Sequence, residues 1–440
     1  MILYKYIMNK QITTFFSDKI VLFFVFFFPL IIVLRSAAIN IAVTAVSIIM
    51  LFYIFKRNQI NFLKNKLVIY IIIFFSFIFI NSIIHFTSFD LLLKSLGNFR
   101  YLLLSMAVFF VFEKISEKQK IFFIYFNIII ISLIAVDILY QFIFYKDIFG
   151  FVPGMCNNFL PIKCIRFSGA FGNELIAGSY LSQIGFLILV LFLNLDSKKI
   201  YFNLLIKFFL CLFLFIVILL TGERAALLIV MLSIFFIFFF KKKIINFFFI
   251  LIFLLSLIFF SAQKIESINA RFIKLFDGWG STSKDTSIVN KIIESPWSFH
   301  YQAAIELFLD KPVLGHGPKS FRIMCENTHI DKKTREQRDY YRDYRACSTH
   351  PHNYLLEFLS EHGVVGGVFF IGLIFIVFTS IYKKSTNHKD KNLSILIGIG
   401  SLILAIIFPF KPSGSFLSTF NASMLFYIFG FFLHYLKKVK

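Results

Sequence analysis

The sequence predicts an all-α membrane protein of about twelve transmembrane helices, with one large, mainly helical loop domain on one side of the bilayer. Hydrophobic residues make up 59% of the chain, with 66 phenylalanines, whereas charged residues make up only 15%. This composition excludes an ordinary soluble globular protein. Apolar runs long enough to cross about 30 Å of hydrocarbon recur along the chain, and lysine and arginine are distributed unevenly between the loops that join them.

The apolar runs define the predicted spans, which are residues 20–34, 38–55, 67–84, 91–112, 121–144, 172–194, 201–220, 225–240, 244–262, 364–381, 393–410 and 416–436. The first span has no small-residue cleavage site, so we expect an anchor and not a removable signal peptide. The predicted divisions are 1–262 with the first nine spans, 263–352 as the outer loop domain, and 353–440 with a helix start and the last three spans.

The placement of basic residues predicts the orientation. If the N-terminus is cytoplasmic, the inner segments hold 22 of the 45 lysines and arginines. The short outer loops hold only Arg35, Lys146, Lys163, Arg166, Arg224 and Lys411. Because basic loops stay on the cytoplasmic side, both termini are predicted to be cytoplasmic. The net charge of +22 then reflects topology and contact with membrane lipids, and no nucleic-acid-binding module accompanies it.

The segment 263–352 is the one long loop, about ninety residues with both tryptophans, 14 basic and 11 acidic residues. Residues 294–311 show helical periodicity only in part, and residues 312–318 are a turn-rich loop. Residues 330–345 are dense in charge and contain three tyrosines, which suits a solvated helix that touches sugar rings.

Four of the five cysteines lie in predicted outer loops, where the compartment is oxidising. Cys156 and Cys164 share one loop, and Cys325 and Cys347 share the large one, so we predict two disulfides. Two free thiols at Cys156 and Cys164 are the alternative. Cys211 lies within a span as a small core residue. No zinc site is expected, since the nearby histidines lack metal-ligand spacing.

The segment from Cys347 to Gly367 concentrates the polar groups that topology does not explain. Pro351 disfavours a helix at His350, and Asn353 is a good N-cap, so a helix is predicted to begin directly after His352. Gly363 is its expected end, immediately before the span 364–381. A histidine pair at the junction of loop and bilayer favours proton transfer over packing.

Two short patterns here, His352-Asn353-x-Leu355 and Glu361-x-Gly363-x-x-Gly366, resemble the signature region of the O-antigen ligase and O-antigen polymerase superfamily of bacterial membrane glycosyltransferases. The resemblance covers most of residues 160–420 in the same order. Its other matches are Thr221-Gly222-Glu223-Arg224, Arg166 with Gly169-Ala170-Phe171-Gly172-Asn173, Asp310 to Pro318 with Phe321 and Arg322, and Phe408 to Ser415. The chain departs from the family at Glu174-Leu175, where Pro-Asn is common.

Two arginines are candidate ligands for an anion. Arg224 lies between two closely spaced spans, where an arginine is costly unless it is paired or hydrated. Its structural alternative is an ion pair with Glu223 or contact with headgroups. Arg166 opens a glycine-rich connection in which backbone N–H groups and a guanidinium meet an anion together, and its alternative is a plain surface loop. His316 is assigned a structural role.

The resemblance implies a glycan donor linked to polyprenyl diphosphate, such as undecaprenyl diphosphate, and an acceptor hydroxyl such as that of lipid A–core. The diphosphate would lie against Arg224 and Arg166, and His352 would take the acceptor proton, with His350 as the alternative base. The remaining alternative is that neither histidine is catalytic and that both form hydrogen bonds at the start of the helix. Asn353, Glu361 and Arg322 are supporting residues. The site would face the periplasm from the inner membrane.

Metal and ATP are not expected to take part. The outer loops contain no Asp-x-Asp or clustered carboxylates to hold Mg²⁺ or Mn²⁺, and the chain has no Walker loop. No cofactor is expected. Ligase-type transfer is favoured over polymerisation, which shares the same architecture. A glycolipid flippase or transporter is the alternative from another class, although neither paired halves nor a midplane site are visible.

Overall fold

The structure is a computed structural model. It describes residues 2–57, 62–156, 164–195, 200–274, 287–293, 295–336, 346–385, 390 and 392–439. In these ranges the chain consists almost entirely of helices that pack side by side.

The helices occur in a fixed order along the chain. They are α1 (Ile2–Val33), α2 (Arg35–Arg57), α3 (Lys66–Ile84), α4 (Phe89–Gly97), α5 (Phe99–Lys114), α6 (Glu117–Phe144), α7 (Ala177–Tyr180), α8 (Phe186–Leu193), α9 (Ile200–Leu220), α10 (Arg224–Phe240), α11 (Ile244–Lys264), α12 (Glu266–Ile268), α13 (Ile288–Ile293), α14 (Pro296–Asp310), α15 (Phe321–Met324), α16 (His329–Glu336), α17 (Tyr354–Ser385), α18 (Leu393–Ile406) and α19 (Thr419–Lys438). Short 3₁₀ or π turns occupy Gly169–Phe171, Leu181–Gly185, Asn269–Ile273 and Cys325–Asn327.

Seven helical stretches in the described ranges are long and apolar enough to cross a membrane. They are Arg35–Phe55, Lys66–Ile84, Phe89–Lys114, Glu117–Phe144, Ile244–Lys264, Tyr354–Ser385 and Thr419–Lys438. Four shorter apolar helices accompany them, Ala177–Leu193, Leu204–Leu220, Arg224–Phe240 and Leu393–Ile406. The helical membrane class is therefore confirmed, while the count of twelve spans and the extent of the outer domain stay predictions.

The predicted span 91–112 is divided in the structure. α4 ends at Gly97 and α5 begins at Phe99, with Asn98 between them. Glycine and asparagine are poor helix formers, which explains why the helix breaks at this position. Lys94 and Arg100 lie on either side of this break and line one cavity with residues of the long loop, so neither belongs to an uninterrupted apolar helix.

A short antiparallel ribbon is a second feature of the fold that the sequence did not predict. β1 (Gly154–Cys156) pairs with β2 (Cys164–Arg166), with Cys156 opposite Cys164. Their side chains lie outside what the structure describes, so the predicted 156–164 disulfide stays a prediction. The chain then turns through residues 167–176, and the helix predicted from residue 172 begins only at Ala177.

The long loop contains a continuous helix where only partial periodicity was visible. Ser295 caps α14 by accepting a hydrogen bond from the Ser298 N–H at 3.2 Å. A small apolar cluster joins α14 to the segment that follows it, with Phe299, Phe321 and Cys325 buried. Cys325 and Cys347 form a disulfide, the pairing expected from their shared loop.

The expected helix end at Gly363 is a sharp kink within α17. Gly363 has φ 64° and ψ −164°, a left-handed conformation that glycine adopts readily. A side chain at this position would collide with the carbonyl of Val313 in the turn 312–318. That turn is hydrogen-bonded across the kink, since the Val364 N–H donates to the Pro312 carbonyl at 2.7 Å and the Gly317 N–H to the Glu361 carbonyl at 2.8 Å.

Candidate functional site

Asn353 fixes the start of α17 and joins it to the loop before α19. Its side-chain oxygen accepts from the Leu356 N–H at 3.0 Å, which is the expected N-cap bond. Its amide nitrogen donates to the Pro409 carbonyl at 2.7 Å. The preceding residue, His352, has φ 57°, a left-handed conformation that is uncommon for a residue with a side chain. The Ser413 N–H donates to the His352 carbonyl at 2.8 Å and helps to hold it there.

Three imidazoles and an indole, those of His300, His350, His352 and Trp297, form a histidine cluster at this helix start. The ring centroid of His352 lies 4.1 Å from that of His350 and 5.1 Å from that of His300. Trp297 meets His352 edge-on, with centroids 4.8 Å apart. His300 Nδ1 lies 2.7 Å from the Ala346 carbonyl, which can only accept, so this nitrogen carries the proton.

Burial keeps the cluster uncharged. It lowers the pKa of His352 to about 3, helped by the neighbouring His350 and His300. Burial, then His300 and Arg322, lower the pKa of His350 to about 4. The pKa of His300 is lowered as well, again mainly by burial. All three imidazoles are therefore neutral at pH 7, the form that accepts a proton.

Two carboxylates of α17 hold the loops around the cluster. Glu357 accepts from the Ser415 hydroxyl at 2.5 Å and from the Phe416 N–H at 2.9 Å. Glu361, one turn further along, accepts from the Lys319 N–H at 2.7 Å. Both glutamates are buried. The loop before α19 and the turn before α15 are thereby fixed to the same face of α17.

A cavity of about 760 Å³, the basic cavity, opens beside the cluster and is lined by Lys94, Arg100, Lys319, Arg322 and His350 among others. Neutral side chains of α2, α19 and the loop before α19 complete its wall, and no aspartate or glutamate is among the lining residues in the described part of the chain. The cavity is thus strongly positive.

Among the residues that the structure describes, Arg100, Lys319 and Arg322 of the basic cavity form no ion pair, although Glu361 and Asp90 act on Lys319 from nearby. Arg100 donates to the Tyr101 hydroxyl at 3.0 Å, while its buried Nε has no hydrogen-bond partner among the described residues. Burial, then the nearby Arg322 and Lys94, lower the pKa of Lys319. Lys94 is paired with Asp90 on the exposed side of α4 at 2.5 Å.

A second group of cations, the arginine cluster, consists of Arg166, Arg224 and Arg271 at the turn before α10. Arg271 Nε donates to the Gly222 carbonyl at 2.9 Å, and Arg224 Nε donates to the Arg271 carbonyl at 2.9 Å. Arg166 donates to the Leu175 carbonyl at 2.9 Å. Gly222 has φ 65°, and a side chain there would lie 2.6 Å from the Ile165 carbonyl, so glycine is required for this close approach.

Glu223 lies within the arginine cluster and is itself tightly bound. Its carboxylate accepts from the Gly178 N–H at 2.8 Å and the Ser179 hydroxyl at 2.7 Å, and Arg166 Nη2 lies 3.8 Å away. Burial raises the pKa of Glu223 against the lowering effect of Arg166. Burial, together with Arg224 and Arg166, lowers the pKa of Arg271 to about 10. One carboxylate, which is paired with Arg166 and acts on Arg271, thus belongs to a cluster of three guanidinium groups.

The structure places the candidate residues in two groups. His350, His352, Asn353, Glu361 and Arg322 surround the start of α17 and the basic cavity. Arg166 and Arg224 belong to the arginine cluster instead. Helix α2 contacts both groups of residues. Arg35, at its start, lies near Gly172 of the loop that carries Arg166, and Asn40, further along the helix, lines the basic cavity.

His316 is not part of either cluster. Its Nε2 lies 3.1 Å from the Leu307 carbonyl and 3.2 Å from Asp310, which fits the expected structural role. Most of the predicted tyrosine-rich helix, including all three tyrosines, lies outside the described residues. Among those that are described, no group of three or more His, Cys, Asp and Glu side chains could hold a metal ion.

The sequence interpretation missed several site residues. Lys94 and Arg100 were absorbed into a predicted span, although two cations around Gly97-Asn98 are a sign of a helix break. Arg271, His300 and Trp297 had no local pattern to distinguish them. His300 and Trp297 join the histidine cluster because α14 packs on α17. Arg271 joins the arginine cluster because the turn after α11 is hydrogen-bonded to the start of α10.

The apolar helices define a multi-pass membrane protein. Residues 209–371 match the family model described as O-antigen ligase. The resemblance to the O-antigen ligase and polymerase superfamily is therefore confirmed, and the matched region includes Arg224, Arg271 and the whole histidine cluster. No curated protein matches the chain.

Proposed function

We propose that this protein is an O-antigen ligase-like glycosyltransferase of the bacterial inner membrane, with cytoplasmic termini and a periplasmic site. It moves a glycan from a polyprenyl diphosphate donor to an acceptor hydroxyl, such as one of lipid A–core. The observation that carries the proposal is a partly buried, neutral histidine pair at a helix start beside a cavity rich in cations, within the region that matches the family. A neutral base and fixed cations are what this transfer needs.

The arginine cluster is the proposed site for the donor diphosphate. As the bond between the anomeric carbon and the diphosphate oxygen breaks, both electrons stay with the diphosphate. Arg166, Arg224 and Arg271 then stabilise the growing negative charge, and guanidinium groups bind phosphate oxygens two at a time. The excess of three cations over one carboxylate supports this role, because a bound anion would relieve their mutual repulsion.

An imidazole of the histidine pair is the proposed general base. It takes the proton of the acceptor hydroxyl while the acceptor oxygen forms the new bond to the anomeric carbon. The family pattern favours His352, which lies next to Asn353. His350 is the alternative base. It lines the basic cavity, and its Nε2 has no hydrogen-bond partner among the described residues. Each imidazole positions the other through their ring contact.

Polymerisation is the second candidate function, since the matched superfamily includes polymerases. In that case the acceptor is another lipid-linked repeat unit. A deletion strain that keeps long lipid-linked chains but no longer attaches them to lipid A supports the ligase. A strain whose lipid A carries a single repeat supports the polymerase.

The test is reconstitution of the purified protein in proteoliposomes with a lipid-linked glycan donor and lipid A–core acceptor, with a chelator present. We expect a covalent glycan–acceptor product, because the proposed mechanism uses arginines in place of a divalent metal. Movement of the lipid-linked glycan across the bilayer without any covalent product would instead establish a transporter. Product that disappears on chelation would contradict the metal-independent mechanism.

A further inference from the structure

The positive charge of the basic cavity is not explained by the proposed donor site, because the donor diphosphate is assigned to the arginine cluster. Lys94, Arg100, Lys319 and Arg322 come from α4, α5, the turn before α15 and α15 itself. Lys94 pairs with Asp90 on its own helix, whereas the other three form no ion pair with any residue that the structure describes. Like charges gathered from four segments repel one another and cost stability. Such a group is retained where an anion binds between its members.

We propose that the basic cavity binds an anionic substituent, a phosphate or carboxylate, on the acceptor glycan. The inference rests on the proposed function, and it adds that this enzyme selects acceptors by their negative charge. The cavity of about 760 Å³ has room for a sugar that carries such a group.

The assignment to the acceptor follows from the position of the histidine pair. A general base must lie within hydrogen-bond reach of the hydroxyl that it deprotonates. His350 lines the basic cavity, so the molecule occupying this cavity is the one that presents its hydroxyl to the pair. In a direct displacement the leaving diphosphate lies on the opposite side of the anomeric carbon, and the separate arginine cluster is the proposed site for it.

The cations are held in place before any ligand binds. The Lys319 backbone is fixed by Glu361, and its φ of 59° is a left-handed conformation that requires such support. The Arg100 guanidinium lies 5.0 Å from the Tyr101 ring centroid. The disulfide between Cys325 and Cys347 ties α15, which carries Arg322, to the segment that carries His350. Fixed cations lose little entropy on binding an anion.

The test uses the full-length protein in lipid nanodiscs, with a lipid-linked glycan donor and phosphorylated lipid A–core as the acceptor probe. The variants are Lys319→Gln and Arg322→Gln, and the matched control is Lys332→Gln, an exposed lysine of α16 in the same loop domain. We expect the acceptor KM and the directly measured acceptor Kd to rise about tenfold or more in both variants, because a charge-assisted bond is lost. The donor Kd and the control should stay within about twofold of wild type.

Two acceptor treatments identify the anionic group. Removal of phosphate by a phosphatase and reduction of carboxyl groups are applied separately to the lipid A–core. One of the two treatments should raise the acceptor KM of the wild type, and after it Arg322→Gln should cause no further rise. The group removed by that treatment is the group that the cavity binds. If neither treatment changes the wild-type KM, the proposal is overturned.

A weakened donor Kd with an unchanged acceptor KM would show that the donor diphosphate occupies the cavity, and would also overturn the proposal. Arg322 is exposed, so its variant tests the site even if Lys319→Gln fails to fold. If wild type binds phosphorylated lipid A–core through these residues but forms no product, the transferase function fails while the anion site stands.

Discussion

The two groups of cations differ in how they are held. In the arginine cluster each guanidinium is bonded to a backbone carbonyl, and Glu223 lies among them with its own backbone partners. In the basic cavity no acidic side chain lines the wall among the described residues, and a buried Arg100 nitrogen and a His350 nitrogen lack hydrogen-bond partners.

The difference indicates separate tasks. A cluster fixed by carbonyls and one carboxylate keeps its geometry as charge develops on a bound diphosphate, which suits a leaving group. A cavity with unbonded donors next to neutral imidazoles suits a ligand that enters and leaves with each turnover. The predictions below test whether the two groups act separately.

The largest expected effect is on the histidine cluster. His352→Ala should lower kcat by about 10²–10⁴-fold, since a general base contributes this much. Donor binding should persist, because the arginine cluster is untouched. Transfer kinetics and donor binding measured on the same preparation check both statements. His350→Ala is the comparison variant, and the larger loss of kcat identifies the base. Near-normal transfer by both variants would remove the pair from the mechanism.

Removing the disulfide should disturb the basic cavity without disturbing the arginine cluster. Cys347→Ser should cost about 2–4 kcal/mol of stability, as expected for a cross-link across this loop. Thermal unfolding with and without reductant measures the loss, and acceptor KM should rise while donor Kd holds. Cys211→Ser is the control, because Cys211 is a free cysteine within α9. An equal loss of donor binding would show that the disulfide supports the arginine cluster as well, and that the two sites are structurally coupled.

Arg224→Lys should affect only the donor side. The charge remains but the bidentate geometry is lost, so donor KM is expected to rise on the order of tenfold. Acceptor KM should not change. The matched control is Arg335→Lys on α16, outside both clusters. If acceptor KM rose with donor KM, the proposed division between leaving-group and acceptor cations would be wrong.

Asn353 offers a smaller and more selective change. Asn353→Ala removes both the N-cap bond and the bond to Pro409, and should destabilise the protein by about 1 kcal/mol. Asn353→Asp keeps the cap acceptor but loses the donor to the Pro409 carbonyl. Thermal unfolding together with acceptor KM separates the two bonds. An unchanged acceptor KM in both variants would show that this loop does not shape the basic cavity.

The smallest expected effect is that of pH. Sequence alone suggests a rate that rises through the ordinary histidine pKa of 6.5, which would make kcat/KM about thirtyfold lower at pH 5. Burial lowers the pKa values of His352 and His350 to about 3 and about 4, so both bases are already neutral at pH 5. We therefore expect the histidine pair itself to cause no fall in kcat/KM between pH 8 and pH 5, where the buried Glu357 and Glu361 of the adjoining helix α17 are also titratable groups. A decline centred near pH 6.5 would show that the free enzyme's base is not buried as described.

The sequence by itself determined the features that depend on near neighbours in the chain. The apolar runs, the N-cap at Asn353 and the break at Gly363 are set within a few residues, by helical hydrogen bonding and backbone conformational preference. The family resemblance followed from the same short patterns. Because these features are local, the structure reproduces the N-cap at Asn353 and the break at Gly363, while the helix bounds differ from the predicted spans at Asn98 and before Ala177.

The tertiary structure alone decided which charges meet. Lys94 and Arg100 join Lys319 and Arg322 across more than two hundred residues, and His300 joins His352 through the packing of α14 on α17. The division of the predicted span at Asn98 and the β1–β2 ribbon were likewise not visible in periodicity. Electrostatic sites depend on distance through space, and distance is set by helix packing that no local sequence pattern encodes.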